Sequence, residues 1–185
     1  MSKFKKIDTF IQGLFIIEPA VFNDERGFFM ETYNHKEFSE LGINTIFVQD
    51  NHSKSKRGVI RGLHFQKKHP QAKLIRVANG TIYDVAVDLR KDSPTFGKWY
   101  GIELSSENKN QIYIPQGFAH GFLTLSEEAD VLYKASDYYH PEDESGIIWN
   151  DPDLNITWPI NKIDALIISS KDKSFKTFDK IKSEL

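Results

Sequence analysis

The chain has 185 residues, a length that suits one domain with a sizeable core, and its formal net charge is −2. Mixed charges give no sign of a nucleic-acid surface, and the absence of cysteine excludes disulfides, thiolate nucleophiles and cysteine metal sites. No apolar run approaches the roughly 18 residues of a membrane span, and the charged stretch MSKFKKIDTF lacks the apolar core of a signal peptide. We therefore expect a soluble, cytoplasmic protein with one domain over residues 1–185.

Short strands dominate the predicted elements. Runs of β-branched and aromatic residues, bounded by Gly, Pro, Asn or Asp, predict strands in this order: LFIIEP, GFFMETY, TIFVQDNHS, GVIRGLHFQ, KLIRVA, TIYDVAVDL, KWYGIELS, QIYIPQ, HGFLTLS and DVLYKASDYY. A helix is predicted at NHKEFSELG, with Asn34 as its cap and Gly42 as its stop, and a short second one at SFKTFDKIKSEL. Ten short strands and few helices predict an all-β fold, a sandwich or closed barrel, in which the interior or mouth commonly holds a small molecule.

The stretch KLIRVANGTIYDVAVDL carries the strongest local signal. Asn79-Gly80 lies between two alternating runs, which predicts a β-hairpin. In the second run Tyr83, Val85, Val87 and Leu89 share one face, and Asp84 and Asp88 share the other.

The stretch RGVIRGLHFQ alternates like a half-buried strand but carries Arg61, His64 and Gln66. His64 is either a core histidine with satisfied nitrogens or a functional group. Buried Arg, His and Gln are costly unless they meet a polar ligand or each other, which favours the second interpretation. Strict alternation puts Arg61 and His64 on opposite faces, so a site that uses both requires an irregular strand near Gly62.

A second apolar stretch, IPQGFAHGFLTL, places His120 on another strand. Two histidines on neighbouring strands could ligate a metal. However, no His-x-His pair occurs, and Lys73 stands where a carboxylate would be needed, so an ammonium would repel the cation. A metal site is therefore the less favoured alternative. Lys73 is either a solvated edge residue or a cation for an oxyanion or phosphate.

Other candidates also have two interpretations. Tyr133 is a packed aromatic residue or a neutral proton donor, and Asp172 is a turn residue unless the chain returns it to a histidine. The stretch DERGFFMET offers Arg26 as a phosphate contact and Phe28 as part of a base-stacking platform.

Several motifs together resemble one family. They are DERGFF.E, QDNHS.S..GV.RGLH.Q, K.I.V..G.I.DV.VD.R..S..FG.W, IP.GFAHGF, YK....Y..E.E.GI.W.DP and ISSKD, and they span nearly the whole chain. The sequence resembles the dTDP-4-dehydrorhamnose 3,5-epimerase family of metal-free cupin enzymes in the L-rhamnose pathway. The resemblance implies a cupin-type β-sandwich or jelly-roll barrel, a homodimer, and no metal, nicotinamide or pyridoxal cofactor.

The resemblance also implies residue roles. His64 corresponds to the general base, Asp172 to the carboxylate that holds its imidazole, and Tyr133 to the acid on the opposite face of the sugar. Positions that contact the substrate in the family fall on a larger set: Arg26, Phe28, Glu31, Gln49, Asn51, Arg61, Lys73, His120, Glu144 and Lys171.

The implied chemistry needs such residues. The substrate would be a dTDP-linked 4-keto-6-deoxy sugar, whose C4 carbonyl acidifies the hydrogens on C3 and C5. A base on one face, an acid on the other and a donor at the C4 oxygen would invert each carbon through an enolate. Three alternatives remain: a single-carbon epimerase, a ketoisomerase, against which Tyr133 and His64 argue, and a silent cupin that only binds a sugar nucleotide.

Overall fold

The computed structural model describes residues 2–185, which form fourteen strands and three short α-helices. The strands are β1 (Phe4–Asp8), β2 (Phe15–Pro19), β3 (Phe22–Asp24), β4 (Gly27–Phe29), β5 (Gln49–Lys56), β6 (Val59–Gln66), β7 (Lys73–Asn79), β8 (Thr81–Asp88), β9 (Trp99–Ser105), β10 (Gln111–Ile114), β11 (Phe118–Thr124), β12 (Glu128–Ala135), β13 (Glu144–Gly146) and β14 (Ile167–Ile168). The helices are α1 (His35–Glu40), α2 (Ser170–Lys173) and α3 (Phe178–Lys182). The all-β prediction is confirmed. Within residues 2–185, no helix has the length and apolar character needed to cross a bilayer.

Two antiparallel sheets pack face to face. The first has the strand order β1-β2-β10-β7-β12-β5 and the second the order β13-β6-β11-β8-β9, with β14 added in parallel to β6. Between them lies a core built from inward residues of both sheets, such as Ile75 and Ile112 of the first and Ile82 and Phe122 of the second. This is the sandwich or jelly-roll arrangement that the sequence predicts.

Both sheets are also covered on their outer faces. Helix α1 packs Phe38 on the first sheet. Residues from the C-terminal part of the chain, including Trp158 and Ile181, pack on Val85 and Val87 of the second sheet. Strands of the second sheet are therefore buried on both sides, which explains why β11 is buried along its whole length.

The hairpin prediction at Asn79-Gly80 is wrong. Gly80 does form a turn with φ +80°, but β7 pairs with β10 and β12, whereas β8 pairs with β9 and β11. Val77 and Ile82 lie in the same inter-sheet core cluster. The two runs thus face each other across the sandwich, because burying both apolar faces outweighs pairing the strands edge to edge.

Other local predictions have mixed outcomes. Helix α1 is confirmed, since Asn34 caps it by accepting from the N–H of Glu37 and Gly42 follows it with φ +83°. Helix α3 confirms the second helix. The strand predicted from TIFVQDNHS begins only at Gln49, and the one predicted from GFFMETY is reduced to the short β4. The strand predicted from LFIIEP is β2, which pairs with β1 on one side and β10 on the other.

Strand β6 is irregular where the sequence requires it to be. His120 lies opposite His64 and Phe122 lies opposite Arg61, so β6 carries one residue more than β11 between these pairs. This bulge turns Arg61 and His64 to the same face, toward the first sheet. At Gly62, with φ +125°, an added Cβ would lie 2.5 Å from the Cα of Gly121, so the two strands approach too closely for a side chain.

Candidate active site

A cavity of about 530 Å³ opens at one end of the sandwich, within the size range of small-molecule sites. Among its lining residues are four of the predicted site residues: His64, Lys73, Tyr133 and Glu144. His64 comes from β6 of the second sheet, whereas Lys73 and Tyr133 come from β7 and β12 of the first. The two sheets thus present an imidazole and a phenol to one cavity from opposite walls.

His64 is held by a buried carboxylate. Its Nε2 lies 2.7 Å from Oδ1 of Asp172, which is 3% exposed. Asp172 reaches this position because β14 pairs with the start of β6 and leads directly into α2. Ser169 caps α2 and accepts from the N–H of Asp172 at 3.0 Å. Of the two interpretations of Asp172, the structure favours the second, because the chain returns this residue to a histidine.

The hydrogen bond between these two side chains fixes the tautomer of His64. Burial acts to raise the pKa of Asp172, but the hydrogen bond and charge of His64 and the N–H of Gly62 bring that pKa below its ordinary value. The carboxylate can only accept, so Nε2 of His64 carries the hydrogen, and Nδ1 is the nitrogen left to take a proton. Phe175 packs edge-on against the imidazole, with ring centroids 5.5 Å apart.

Tyr133 is held as a neutral phenol. Burial is the main reason that its pKa is raised; the charge of Glu144 acts in the same direction and that of Arg61 opposes it. A neutral phenol with a raised pKa is a proton donor at neutral pH, and cannot be a base there.

The ammonium group of Lys73 has no hydrogen-bond or ion-pair partner among residues 2–185. Burial lowers its pKa to about 8, and the charges of Asp84 and Glu144 act in the opposite direction. The side chain is therefore an ammonium at pH 7, with free donors in the cavity.

Glu144 is the anchor of a small polar cluster. Its carboxylate accepts from Lys171 Nζ at 2.7 and 2.8 Å and from the Tyr139 hydroxyl at 2.6 Å. Burial acts to raise the pKa of Glu144, but these two hydrogen bonds lower it below its usual value. The hydrogen bond between Tyr139 and Glu144 also raises the pKa of Tyr139 to about 12. The cluster fixes the Tyr139 ring at the mouth of the cavity.

Four more predicted residues lie beside the lining. Gln49 donates to Asn51 at 3.0 Å and accepts from the N–H of Tyr139 at 3.1 Å, and Asn51 lies opposite Tyr133 in the sheet. Arg61 donates to Ser55 of the facing sheet at 3.0 Å. His120 lies opposite His64, and its Nε2 lies 2.8 Å from Oδ2 of the Asp84 carboxylate.

The remaining three do not reach this cavity within one chain. Arg26 and Phe28 belong to the hairpin of β3 and β4, where Arg26 pairs with Asp24 and Phe28 is 56% exposed. Glu31 follows this hairpin and pairs with Lys3. The structure therefore separates these residues from His64, although the sequence groups them with it.

Two residues were missed by the sequence interpretation. Tyr139 lines the cavity, and the signal for it is the pair of adjacent tyrosines in the polar stretch SDYYHPEDE. Asp84 bonds to His120, and its signal is an aspartate in the apolar run TIYDVAVDL, where a buried charge needs a partner. Both residues stand at positions of the motifs that carry the resemblance, but the sequence interpretation assigned a role to neither.

A metal centre finds no support in the donor set. Among the described residues, no group of three or more His, Asp or Glu side chains is arranged to hold a metal ion. The donors around His64 are instead a lysine, a tyrosine and a carboxylate already bonded to the imidazole.

Comparisons with known proteins identify a family and a fold for this chain. The family model described as dTDP-4-dehydrorhamnose 3,5-epimerase matches residues 8–180. A relative of that name from Methanothermobacter thermautotrophicus is 57% identical, over 95% of both chains. The crystal structure of a dTDP-6-deoxy-D-glucose-3,5-epimerase from Legionella pneumophila in complex with dTDP-4-keto-L-rhamnose is 50% identical, with a TM-score of 0.93 over 98% of this chain and 96% of that one.

A more distant solved structure with a similar fold carries a different name. A 3'-monoepimerase from Streptomyces bikiniensis in complex with dTDP-quinovose is 31% identical, with a TM-score of 0.88 over 95% of this chain and 89% of that one. Its identity is well below that of the two 3,5-epimerases. The match of the family model over nearly all of the sequence and the high identity to 3,5-epimerases lead to one conclusion: this chain belongs to the dTDP-4-dehydrorhamnose 3,5-epimerase family, and it is an isomerase.

Proposed function

We propose that the chain epimerises dTDP-4-dehydro-6-deoxy-D-glucose at C3 and C5 to give dTDP-4-dehydro-L-rhamnose. The observation that carries this proposal is the position of a His–Asp pair and a neutral phenol on opposite walls of one cavity. Inversion of a carbon requires removal of a proton from one face and its return to the other, and this arrangement supplies both groups.

The proposed mechanism proceeds in two equivalent rounds. Nδ1 of His64 takes the proton from the carbon next to the C4 carbonyl, and the Asp172 carboxylate stabilises the imidazolium that forms. The C–H electron pair becomes an enolate whose oxygen accepts from the Lys73 ammonium. The Tyr133 hydroxyl then gives its proton to the opposite face of the same carbon. The tyrosinate then regains a proton from solvent, and the His64 imidazolium releases its extra proton to solvent.

Lys73 supplies the electrostatic part of the catalysis. An ammonium with no protein acceptor has its donors available for the C4 oxygen as charge develops there, and removal of one such donor typically costs ~3–4 kcal/mol. Its partial burial strengthens the interaction, because few waters compete.

Tyr139 provides the wall for the nucleotide. Its ring is 50% exposed at the cavity mouth and its hydroxyl is fixed by Glu144. A rigid exposed aromatic face suits the stacking of a nucleobase, which is tolerant of base identity.

We further propose that the enzyme is a homodimer. The hairpin of β3 and β4 exposes Phe22, Phe28 and Phe29 at 54%, 56% and 67%. Such an exposed aromatic patch is typical of an interface, and Arg26, Phe28 and Glu31 lie away from the cavity of their own chain. A second copy would bring these residues to a substrate. A cytoplasmic location stays a prediction from the sequence.

The test is proton NMR of the substrate in D₂O, which follows deuterium entry at C3 and C5 separately. Wild-type protein should exchange both positions, and His64→Ala should exchange neither. His52→Ala is a matched control, because His52 forms a similar pair with Asp130 at 2.9 Å on the surface; it should retain exchange. Exchange at C3 alone in the wild type would instead favour a single-carbon epimerase.

A further inference from the structure

Two loops form one side of the cavity mouth, and neither belongs to a strand. The first joins β6 to β7 and covers residues 67–72, and the second joins β12 to β13 and covers residues 136–143. Lys68 and Gln71 of the first loop and Tyr139 of the second line the cavity. Since Tyr139 is the proposed wall for the nucleobase, the contacts that fix the second loop also fix that wall.

A pair of stacked imidazoles joins these two loops. The rings of His69, in the first loop, and His140, in the second, have centroids 3.9 Å apart and an interplanar angle of 14°. Nδ1 of His69 lies 3.2 Å from the Asp143 carboxylate, and Nδ1 of His140 lies 3.2 Å from the Glu142 carboxylate. Because a carboxylate accepts, each ring carries hydrogen on Nδ1. Both rings are therefore restrained in rotation as well as stacked on each other.

The backbone around the stacked pair is bonded across the same two loops. The buried Gln66 side chain donates to the carbonyl of His69 at 2.7 Å and accepts from the N–H of His140 at 2.8 Å. Asp143, which is 9% exposed, accepts from the N–H of His69 at 2.8 Å. His140 thus has both its ring and its backbone fixed, and Tyr139 is the residue that precedes it.

We propose that His69 and His140 are positioning residues that hold the Tyr139 ring in place for the nucleotide. The hydroxyl end of that ring is bonded to Glu144 at 2.6 Å, and the backbone end is tied to the stacked pair through His140. A ring that is already in place loses little conformational freedom when a base stacks on it, so the ligand binds more tightly. The gain in affinity rests on the proposed function, but the order that the pair gives to the loop does not.

The test is a double-mutant cycle on the affinity for dTDP, measured by titration calorimetry. Tyr139→Ala should weaken binding about tenfold, within the range for one base–aromatic stack. His140→Ala should weaken it about fivefold, as expected for one aromatic pair, but should cause no further loss in the Tyr139→Ala background, because it acts through that ring. His140→Phe, which keeps a flat ring over His69, should restore most of the affinity. Inorganic pyrophosphate, which has no base, should bind equally to the wild type and to His140→Ala.

Tyr138→Ala is the matched control. Tyr138 precedes Tyr139 in the same loop and is 60% exposed, and within residues 2–185 it is not part of the cavity lining. This variant should keep the wild-type affinity for dTDP. Wild-type affinity in His140→Ala, an equal loss in Tyr138→Ala, or additive losses in the double variant would each overturn the proposal.

A second measurement needs no ligand. The N–H of Tyr139 donates to the Gln49 side chain at 3.1 Å, and hydrogen exchange reports how often this bond opens. Its protection factor should fall about fivefold in His140→Ala and in His69→Ala, while the amides of β11 keep theirs. Unchanged protection at Tyr139, or an equal fall in β11, would overturn the proposal, the latter because the pair would then stabilise the whole fold. A fall at Tyr139 in a protein that does not bind dTDP would remove the proposed function alone, and unchanged protection in a protein that binds it would remove this inference alone.

Discussion

Asp172→Asn tests the most clearly defined interaction of the site. The substitution keeps the shape of the side chain but removes its charge, so the imidazolium of His64 loses its counter-ion. The contact is 2.7 Å long and the carboxylate is 3% exposed, which puts it among charge-assisted hydrogen bonds worth ~1.5–3 kcal/mol. Since ~1.4 kcal/mol corresponds to a tenfold change in rate, exchange at C3 and C5 should slow by about 10- to 150-fold.

The assay is the initial rate of deuterium entry at each carbon under saturating substrate. Ser169→Ala is the control, because it removes the cap on α2 while keeping the carboxylate; a lost cap typically costs ~1 kcal/mol of stability. Its exchange rate should stay close to that of the wild type. Wild-type rates in Asp172→Asn would refute the assigned role of this carboxylate, and an equal loss in Ser169→Ala would show that the position of α2 is what matters.

Four further predictions follow from the site. Tyr133→Phe should let deuterium enter C5 while inversion collapses, so the ratio of exchange to epimerisation rises; a parallel loss of both would show that Tyr133 is not the donor. The rate should fall above about pH 8, because the pKa of Lys73 is lowered to about 8 by burial and the amine is neutral above it; a flat rate up to about pH 10 would contradict this. Exhaustive chelation should leave activity intact, and rescue of a chelated, inactive enzyme by one metal would contradict the metal-free mechanism. Light scattering should give twice the 21.4 kDa of one chain, and a monomer mass at micromolar concentration would count against the dimer.

The sequence predicts the local elements of this fold better than its topology. Strand periodicity identifies β6 to β12, because a two-residue alternation depends only on neighbouring residues. The pairing of β7 and β8 is wrongly predicted, since Asn79-Gly80 determines a turn but not which sheet receives the next strand. The sheet that β8 joins depends on the apolar cores on both faces of the second sheet. Residues from distant parts of the chain complete those cores.

For the site, too, the sequence predicts local features better than long-range contacts. His64, Lys73 and Tyr133 are recognisable because a polar group in an apolar strand needs a reason to be there. Their roles came from the family resemblance, since spacing alone left each with a structural alternative. The contact between Asp172 and His64 joins residues 108 positions apart. It depends on β14 pairing with β6, and two isoleucines in a row gave no sign of that pairing.

The long-range pairing of the strands has a consequence for folding. In the first sheet β2 pairs with β10, and β5 pairs with β12. Strands β2 and β5 can therefore form these pairs only after a much later part of the chain has been synthesised. Domains dominated by such non-local contacts fold in milliseconds to seconds. Until residues 111–135 have been made, the backbone amides of β2, β5 and β7 are open edges on which another nascent chain can pair. The two lysines of SKSK, at the end of β5, would repel another nascent chain from this edge. They would thus reduce aggregation during translation, before the active site has formed.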